Sequence, residues 1–290
     1  MLIDGKALSM SIKDSLKARI PALEAEFGRK PSLCVIMVGE NPASQVYVRN
    51  KIRAAQYVGM DSRQINLPAD TSEEALLKLI ASLNEDSTVD GILVQLPLPK
   101  SIDEGRIAAA IAPCKDVDGL NPVNAGKLWL GDSDAVVPCT PRGIMALLDS
   151  AQIDLEGKLA LVIGRSNIVG RPVSKLLQDR NATVIMAHSR TSNLAALCRQ
   201  ADVIIAAVGR ENLLGADMVK EGATVIDVGI NRKSDGTLAG DADFEALKDK
   251  VAYITPVPGG VGPMTIAMLM DNTVRCFLYI MRAATSARIA

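Results

Sequence analysis

A chain of 290 residues is long enough for two domains, and with 32 basic against 33 acidic side chains its net charge of −1 offers no electrostatic attraction for nucleic acid or an anionic membrane. The most apolar stretch, residues 265–280, is interrupted by Asp271, Asn272 and Arg275, so no membrane-spanning helix is predicted. The N-terminus lacks the basic and apolar regions of a signal peptide, and the five scattered cysteines form no Cys-x-x-Cys pair, so we expect a cytoplasmic protein with reduced thiols and no metal site.

Residues 1–141 are predicted to form an α/β domain, because strand and helix patterns alternate along them. An amphipathic helix over residues 9–26 opens the domain, since Ile12, Leu16 and Ile20 recur at helical spacing among charged residues. Strands are then predicted at residues 31–38, 62–67 and 91–96, and helices at residues 42–58 and 72–84.

The helix predicted from Pro42 carries polar side chains on one face. Asn41 and Pro42 form a strong helix start, with asparagine as the cap and proline at the first helical position. Ser44, Tyr47 and Lys51 recur at intervals of three and four residues, so they share a face of this helix. From spacing alone, Lys51 is equally well interpreted as a solvated lysine on a surface helix.

Further polar positions follow in the first domain. Gln95 interrupts the apolar strand 91–96 at its carboxyl end, where ligands of α/β sheets collect; the alternative is a glutamine satisfied by backbone groups. Asp116 and Asp118 lie at extended spacing in Lys-Asp-Val-Asp-Gly, a pattern that by itself favours an Asx-rich turn. Residues 138–143 then form a capped helix start that we expect to connect the two domains.

The second domain, predicted over residues 142–264, begins with a strand, a glycine turn and a helix start. Leu159 to Ile163 is a continuous apolar run, typical of a strand buried on both faces of a parallel sheet. Gly164 ends this strand and Gly170 begins the next helix, whose free N–H groups and positive dipole end suit a pyrophosphate. The spacing is Gly-x-Ser-x-x-x-Gly rather than Gly-x-Gly-x-x-Gly, so the turn alone is not specific for a dinucleotide.

The end of the next strand indicates which dinucleotide would bind. The strand predicted at residues 182–187 is followed by His188, Ser189 and Arg190, where an NAD site usually has an acidic residue for the ribose 2′-hydroxyl. With Arg165 in the first turn, two guanidinium groups and no carboxylate favour a 2′-phosphate, and hence NADP. The alternative is that both arginines are solvated surface charges.

Two more apolar runs, residues 202–208 and 223–228, complete a predicted sheet of four parallel strands. Residues 253–265 are rich in proline and glycine, which predicts a rigid loop whose backbone can approach a ligand closely. A long helix is predicted from about residue 264 onward.

These motifs, in this order and across nearly the whole chain, resemble the methylenetetrahydrofolate dehydrogenase/cyclohydrolase family. The matching segments are Asn-Pro-Ala-Ser-x-x-Tyr-x-x-x-Lys from residue 41, Gly-Ile-Leu-Val-Gln-Leu-Pro-Leu-Pro from 91, Lys-Asp-Val-Asp-Gly from 115, Pro-Cys-Thr-Pro-x-Gly from 138, Gly-Arg-Ser-x-x-Val-Gly from 164, and Thr-Pro-Val-Pro-Gly-Gly-Val-Gly-Pro-Met-Thr from 255. Together they are far more specific than any one of them, although the last is close to diagnostic by itself.

The resemblance implies a fold, a reaction and partners. The expected fold is two α/β domains around a cleft, the second a Rossmann-like NADP-binding domain with a parallel sheet, and a C-terminal helix (residues 265–290) that returns to the first domain. The implied reactions are oxidation of 5,10-methylenetetrahydrofolate by NADP⁺ to the 5,10-methenyl form and its hydrolysis to 10-formyltetrahydrofolate, in one-carbon metabolism and purine biosynthesis. A homodimer is also implied.

The resemblance also implies roles for individual residues. Lys51 matches the catalytic lysine, Tyr47 the tyrosine one helical turn before it, and Gln95 the glutamine that hydrogen-bonds the lysine. Asp118 matches the aspartate that holds the pterin. Further substrate contacts are implied at Val94, Leu96, Pro258, Gly259, Gly260, Val261, Gly262, Pro263, Met264, Thr265 and Ile266, and cofactor contacts at Gly164, Arg165, Ser166, Ser189 and Ile230.

Elementary chemistry agrees with these roles. Hydrolysis of the methenyl group needs an acceptor for a proton of the attacking water and a donor for the departing ring nitrogen. A lysine in a cleft can supply both, since burial disfavours its charged form; Gln95 and Tyr47 would orient the amine and order the water. Two alternatives remain: a dehydrogenase that lacks the hydrolytic step or acts on another small substrate, and a non-catalytic nucleotide-binding protein that has kept the fold.

Overall fold

The structure, a computed structural model, describes the backbone of residues 1–289 and the side chains of residues 1–42 and 44–285. The chain divides into two compact units, each built from two segments. The 11–139 unit contains Ser11–Cys139 and the chain from Ile266 onward, and the 140–265 unit contains Thr140–Thr265 and Met1–Met10.

The first ten residues depart from the predicted domain boundaries. The sequence assigned them to the first domain, whereas the structure places them in the 140–265 unit. The reason is a strand-like contact: Leu2 forms a parallel bridge with Ile254, and the Ile3 N–H donates to the Ile254 carbonyl at 2.9 Å. Two residues are too short a segment to show a strand pattern in the sequence.

The 11–139 unit contains a parallel sheet with helices between its strands, as alternating strand and helix patterns predict. Its strands are β1 (Ser32–Val38), β2 (Asp61–Leu67) and β3 (Gly91–Val94), and its helices are α1 (Gly5–Phe27, of which the part from Ser11 belongs here), α2 (Pro42–Val58), α3 (Glu73–Glu85), α4 (Glu104–Ala110) and α5 (Pro122–Leu130). The strand order is β2-β1-β3, so the apolar β1 is central and is buried along most of its length.

Two of these helices, α4 and α5, were not predicted. Both carry local start signals: the Asp103 carboxylate accepts the N–H groups of Gly105 and Arg106, and the Asn121 side chain accepts that of Val123. The helices are only 7 and 9 residues long, too short for a clear apolar period. The strand predicted over 91–96 ends at Val94.

The 140–265 unit has the Rossmann-like architecture expected for its sequence. Its elements are α6 (Cys139–Ser150), β4 (Leu159–Ile163), α7 (Gly170–Asp179), β5 (Thr183–Ala187), α8 (Leu194–Gln200), β6 (Val203–Ala206), β7 (Thr224–Asp227), β8 (Asn231–Arg232), β9 (Leu238–Ala239), α9 (Phe244–Leu247) and β10 (Tyr253–Ile254). The main sheet is parallel in the order β10-β7-β6-β4-β5. The prediction of four strands was therefore wrong, because it lacked the edge strand β10. With only two residues, β10 cannot be distinguished from a loop in the sequence.

The long helix α10 (Val261–Ile289) begins slightly before its predicted start and, from Ile266, belongs to the 11–139 unit. The Asn272 amide donates to the carbonyls of Val117 and Val137 at 2.9 and 3.0 Å, and so fixes the helix to the segment that follows β3. The fold thus agrees with the expectation that the C-terminal helix returns to the first domain. Over the described residues, no helix combines the length and hydropathy needed to cross a membrane.

Candidate active site

Lys51 and Gln95 meet at the carboxyl end of the sheet in the 11–139 unit. Lys51 projects from α2, Gln95 directly follows β3, and the Lys51 Nζ donates to the Gln95 Oε1 at 2.9 Å. The Gln95 Nε2 donates to the Leu96 carbonyl at 2.7 Å, which fixes the amide with its oxygen toward the lysine. A backbone group therefore binds only the NH₂ group of the Gln95 amide, and the amide oxygen binds Lys51. This hydrogen bond does not fit the interpretation of Lys51 as a solvated lysine.

Tyr47 lies one turn before Lys51 on the same helix, and its side chain is 44% exposed. The predicted helix start is present, since the Ser44 N–H donates to the Asn41 Oδ1 at 3.2 Å. Ser44 itself is buried. The helix start thus fixes the register that puts Tyr47 and Lys51 on a common face.

The two aspartates of the 115–119 motif occupy different environments. Asp116 is buried, and its carboxylate accepts the N–H groups of Leu120 and Asn121 at 3.2 and 2.8 Å and the Asn124 amide at 2.9 Å. Burial raises the pKa of Asp116, although these hydrogen bonds oppose the shift. Asp116 therefore has the structural role predicted from the sequence, in which an Asx side chain stabilises a turn.

Asp118, by contrast, is half-buried and lines a small cavity of about 30 Å³ at the end of β3. Val94 and Leu96, both expected to contact substrate, line the same cavity. Glu104 also lines it and accepts the Leu98 N–H at 3.3 Å, and no sequence motif had singled it out. The structure thus places three predicted substrate contacts, Asp118, Val94 and Leu96, around one cavity.

The Pro258–Thr265 segment lies in the 140–265 unit and adopts the tight geometry predicted from its composition. The Val257–Pro258 peptide bond is cis, and Gly259 has φ of 113°. A Cβ on Gly260 would lie 2.7 Å from the Pro256 carbonyl oxygen, so only glycine fits there.

Two hydrogen bonds join the N-terminal segment to this loop. The Lys6 N–H donates to the Gly259 carbonyl and the Ser9 hydroxyl to the Pro263 carbonyl, each at 2.9 Å. The predicted substrate contacts of this segment differ in their exposure. The exposed or half-buried ones, which a ligand can reach, are Pro258, Gly259, Gly262, Pro263, Thr265 and Ile266. The buried ones are Gly260, Val261 and Met264. Ile266 belongs to the 11–139 unit.

The glycine turn after β4 forms a close backbone cradle. Gly164 has φ of 127°, and a Cβ there would lie 2.3 Å from the Ala207 carbonyl oxygen; a Cβ on Gly170 would lie 2.1 Å from the Gly164 carbonyl oxygen. The Ser166 hydroxyl accepts the Val169 N–H at 3.1 Å at the start of α7. Both glycines are therefore needed for the close backbone packing of this turn, which precedes the N-terminus of α7, the place where Rossmann folds bind a pyrophosphate.

The predicted 2′-phosphate contacts lie at the same edge of the sheet. Strands β4 and β5 pair in parallel with Ile163 opposite Ala187, so Arg165 and Ser189 each follow the end of a strand by two residues. Both side chains are exposed, as is that of Arg190, and Ile230 is 47% exposed after β7. Two exposed guanidinium groups and a hydroxyl fit NADP, whose 2′-phosphate they would hold.

Comparisons with known proteins identify a family over each of two segments of the chain. The family described as "Tetrahydrofolate dehydrogenase/cyclohydrolase, catalytic domain" matches residues 3–118, and "Tetrahydrofolate dehydrogenase/cyclohydrolase, NAD(P)-binding domain" matches residues 138–280. The chain is 54% identical over 278 residues to the "Bifunctional protein FolD" of Streptococcus thermophilus, an alignment that covers 96% of this chain and 98% of that protein.

Two solved structures extend the similarity to the fold. A bifunctional methylenetetrahydrofolate dehydrogenase/cyclohydrolase from Campylobacter jejuni superposes with a TM-score of 0.94 at 52% identity, covering 95% of this chain and 98% of that one. The corresponding enzyme of Trypanosoma brucei, complexed with NADP cofactor and inhibitor, has a TM-score of 0.92 at 39% identity, covering 96% of this chain and 97% of that one.

Proposed function

Because this chain belongs to the tetrahydrofolate dehydrogenase/cyclohydrolase family, we propose that Lys51 is the general acid and base of its hydrolytic reaction, assisted by Tyr47 and Gln95. The protein is a bifunctional enzyme: it oxidises 5,10-methylenetetrahydrofolate with NADP⁺ and hydrolyses the 5,10-methenyl product to 10-formyltetrahydrofolate. The observation that best supports the residue roles is the 2.9 Å hydrogen bond from the Lys51 Nζ to the Gln95 Oε1.

The hydrolysis requires proton transfer at two atoms. As water attacks the methenyl carbon, Lys51 acts as the base that accepts one of its protons while a C–O bond forms. The C–N bond to the ring nitrogen then breaks, and the lysine returns a proton to that nitrogen; the second proton of the water is released to solvent. Gln95 orients the amine, and Tyr47 is placed to order the water.

The other predicted contacts bind and orient. The Asp118 carboxylate would accept adjacent N–H donors of the pterin ring as a pair. The oxidation needs a hydride acceptor, which NADP⁺ supplies when it is bound. Gly164 and Ser166 would hold its pyrophosphate, and Arg165 and Ser189 its 2′-phosphate.

The test compares Lys51→Ala with wild type and with Lys78→Ala, an exposed lysine of α3 in the same unit. Hydrolysis of 5,10-methenyltetrahydrofolate is followed by the loss of its absorbance, and NADPH formation is followed separately. We expect Lys51→Ala to lower the hydrolysis rate by about 10²–10⁴-fold, the usual contribution of general acid–base catalysis, and Lys78→Ala to leave it unchanged. Wild-type hydrolysis by Lys51→Ala would remove the lysine from the mechanism.

We further propose that the enzyme is a cytoplasmic homodimer. No disulfide bond is found among the described cysteines, which suits a reducing compartment. Light scattering should give twice the chain mass of 30.7 kDa, and a mass equal to one chain would contradict the dimer.

A further inference from the structure

Two buried aspartates of the 140–265 unit have no role in the chemistry described above. Asp227 ends β7 and is 3% exposed, and Asp241, just after β9, is completely buried. Buried carboxylates are costly unless they are hydrogen-bonded, so the groups that surround them indicate what they do.

The Asp227 carboxylate binds only backbone N–H groups. Its Oδ1 accepts from Gly229 and from Asp241, and its Oδ2 accepts from Ala242, each at 2.9 Å. The backbone packs directly on this carboxylate, since a Cβ on Gly240 would lie 1.8 Å from its Oδ2. Asp227 therefore fixes the position of the chain at residue 241.

The Asp241 carboxylate in turn holds the turn that follows β6. Its Oδ2 accepts the N–H groups of Val208 and Gly209 at 2.6 and 3.0 Å, and its Oδ1 accepts that of Arg210 at 2.8 Å. A fourth donor, the Asn231 amide, reaches Oδ1 at 3.0 Å. Three consecutive N–H groups and a side chain from another loop thus converge on one carboxylate.

This turn follows directly from the backbone that packs on the glycine turn after β4. The Ala207 N–H donates to the Ile163 carbonyl at 2.8 Å, and the Ala207 carbonyl oxygen is the atom that a Cβ on Gly164 would meet at 2.3 Å. Residues 208–210 therefore continue directly from the backbone that packs against the glycine turn. Asn231, the other partner of Asp241, is adjacent to Ile230, a predicted cofactor contact.

We propose that Asp241, itself held by Asp227, is a positioning residue for NADP: it fixes the 208–210 turn and Asn231 in the arrangement that the cofactor binds. Charge-assisted hydrogen bonds to four donors order these groups before the cofactor arrives. Groups that are already ordered do not lose conformational entropy on binding, and this favours affinity. The inference deepens the cofactor site of the enzyme and is independent of the proposed role of Lys51.

The test uses Asp241→Asn, in which one acceptor oxygen becomes an NH₂ donor of nearly the same size. At least one N–H of the 208–210 turn then loses its acceptor, and the loss of a hydrogen bond to a charged group corresponds to about 10- to 100-fold in binding. We expect the Kd for NADP⁺, measured by calorimetry without folate, to rise by that factor. Hydrogen exchange at residues 208–210 should also be faster in the cofactor-free protein.

A purely structural role would affect both reactions, so hydrolysis provides the discriminating readout. Hydrolysis of 5,10-methenyltetrahydrofolate uses no nicotinamide, and its proposed proton-transfer group lies in the 11–139 unit. We expect Asp241→Asn to retain this rate within about twofold, since the hydrogen-bond partners of Asp241 all belong to the 140–265 unit and Lys51 is not among them. Asp249→Asn, an exposed aspartate of the same unit, is the matched control and should bind NADP⁺ normally.

Two results would overturn the proposal: unchanged NADP⁺ affinity in Asp241→Asn, or a parallel fall in both reactions and in melting temperature. Asn231→Ala gives a milder second variant, because it removes one donor and leaves the carboxylate and the turn in place. It should weaken NADP⁺ binding in the same direction by a few-fold, and normal binding in this variant would also count against the proposal.

Discussion

Asp116 and Asp118 carry the same carboxylate two positions apart, yet their surroundings give them different chemistry. Both line the same cavity, but Asp116 is buried with its oxygens occupied by Leu120, Asn121 and Asn124, whereas Asp118 is only half-buried. The residue that can bind a ligand is the one whose acceptors remain accessible. The same criterion favours Asp118, rather than Asp116, as the pterin-binding carboxylate.

Cofactor choice is tested at Arg165. Replacement by alanine removes a guanidinium that would pair with the 2′-phosphate, a group that NAD⁺ lacks. We expect Arg165→Ala to weaken NADP⁺ binding by about 10-fold or more and to change NAD⁺ binding much less, because a charge-assisted contact contributes about 1.5–3 kcal/mol.

Titration calorimetry with both nucleotides measures this difference. Arg171→Ala is a useful control, since this exposed arginine in α7 donates to Asn167 instead. Equal losses of affinity for the two nucleotides in Arg165→Ala would remove the 2′-phosphate assignment.

At the residue scale, the sequence predicted what helix spacing and local motifs encode. Lys51 and Tyr47 share a helix face, and Gln95 interrupts an apolar strand, so each was recognisable from nearby residues. Asp241 was not, because its partners come from residues 208–210, residue 231 and Asp227. Only the tertiary fold brings these segments together.

At the scale of elements, one buried ion pair joins several of them in the 11–139 unit. Both Arg29 guanidinium nitrogens donate to the Asp90 carboxylate at 2.7 and 2.6 Å, and the Ser32 N–H donates to it at 2.9 Å. The guanidinium also stacks on the ring of Phe277 in α10, 5.0 Å from its centroid. The starts of β1 and β3 and the C-terminal helix are thereby held at one point.

Arg29→Ala should destabilise this unit strongly. The Asp90 side chain is completely buried, so the substitution leaves an unpaired buried charge, at a cost of about 3–5 kcal/mol. Urea unfolding followed by the fluorescence of Trp129, the single tryptophan, reports on the same unit. Arg106→Ala removes the 66% exposed partner of Glu73 in a surface pair and should cost less than about 1 kcal/mol. Similar midpoints for the two variants would contradict the buried-pair argument.

A pH dependence follows from the end of β7. Burial raises the pKa of Asp227 from 3.8 to about 6, although backbone hydrogen bonds oppose the shift. A raised carboxyl pKa means that the folded protein binds more protons than the unfolded chain between these two values. Ionisation of Asp227 therefore costs stability above pH 6, and this cost disappears as the pH falls toward 4.

Comparison with Asp227→Asn, which does not titrate there, isolates the effect. Between pH 7 and pH 5 wild type should gain about 1 kcal/mol in free energy of unfolding relative to the variant. Urea unfolding followed by circular dichroism at both pH values measures it. A constant difference between the two proteins would show that Asp227 keeps its charge over this range.

The elements themselves were predictable where they are long. The apolar run of β4 and the capped start of α2 each determine an element locally, and the structure has both at the predicted place. The elements that were missed, α4, α5, β8, β9, α9 and β10, have two to nine residues, too few to show a period. Such short pieces form because neighbouring strands and caps accept their hydrogen bonds.

On the scale of the whole molecule, the proposed proton-transfer group and the proposed cofactor site lie in different units. The proton-transfer group lies in the 11–139 unit, and the glycine turn and the Asp227–Asp241 pair lie in the 140–265 unit. Because hydrolysis uses no nicotinamide, it can serve as the internal control for substitutions that affect only cofactor binding. The predicted folate contacts are divided between the units, since Pro258 to Thr265 belong to the second.

The interleaved order of the segments also affects how the protein is made. During synthesis Met1–Met10 emerge first, yet their unit is completed only when residues up to 265 have followed. The 11–139 unit has its strands early but lacks Phe277, which is fully buried against it, until much of α10 has left the ribosome. Its apolar surface must therefore stay exposed while more than a hundred further residues are translated, and we expect nascent chains of this enzyme to be candidates for chaperone binding.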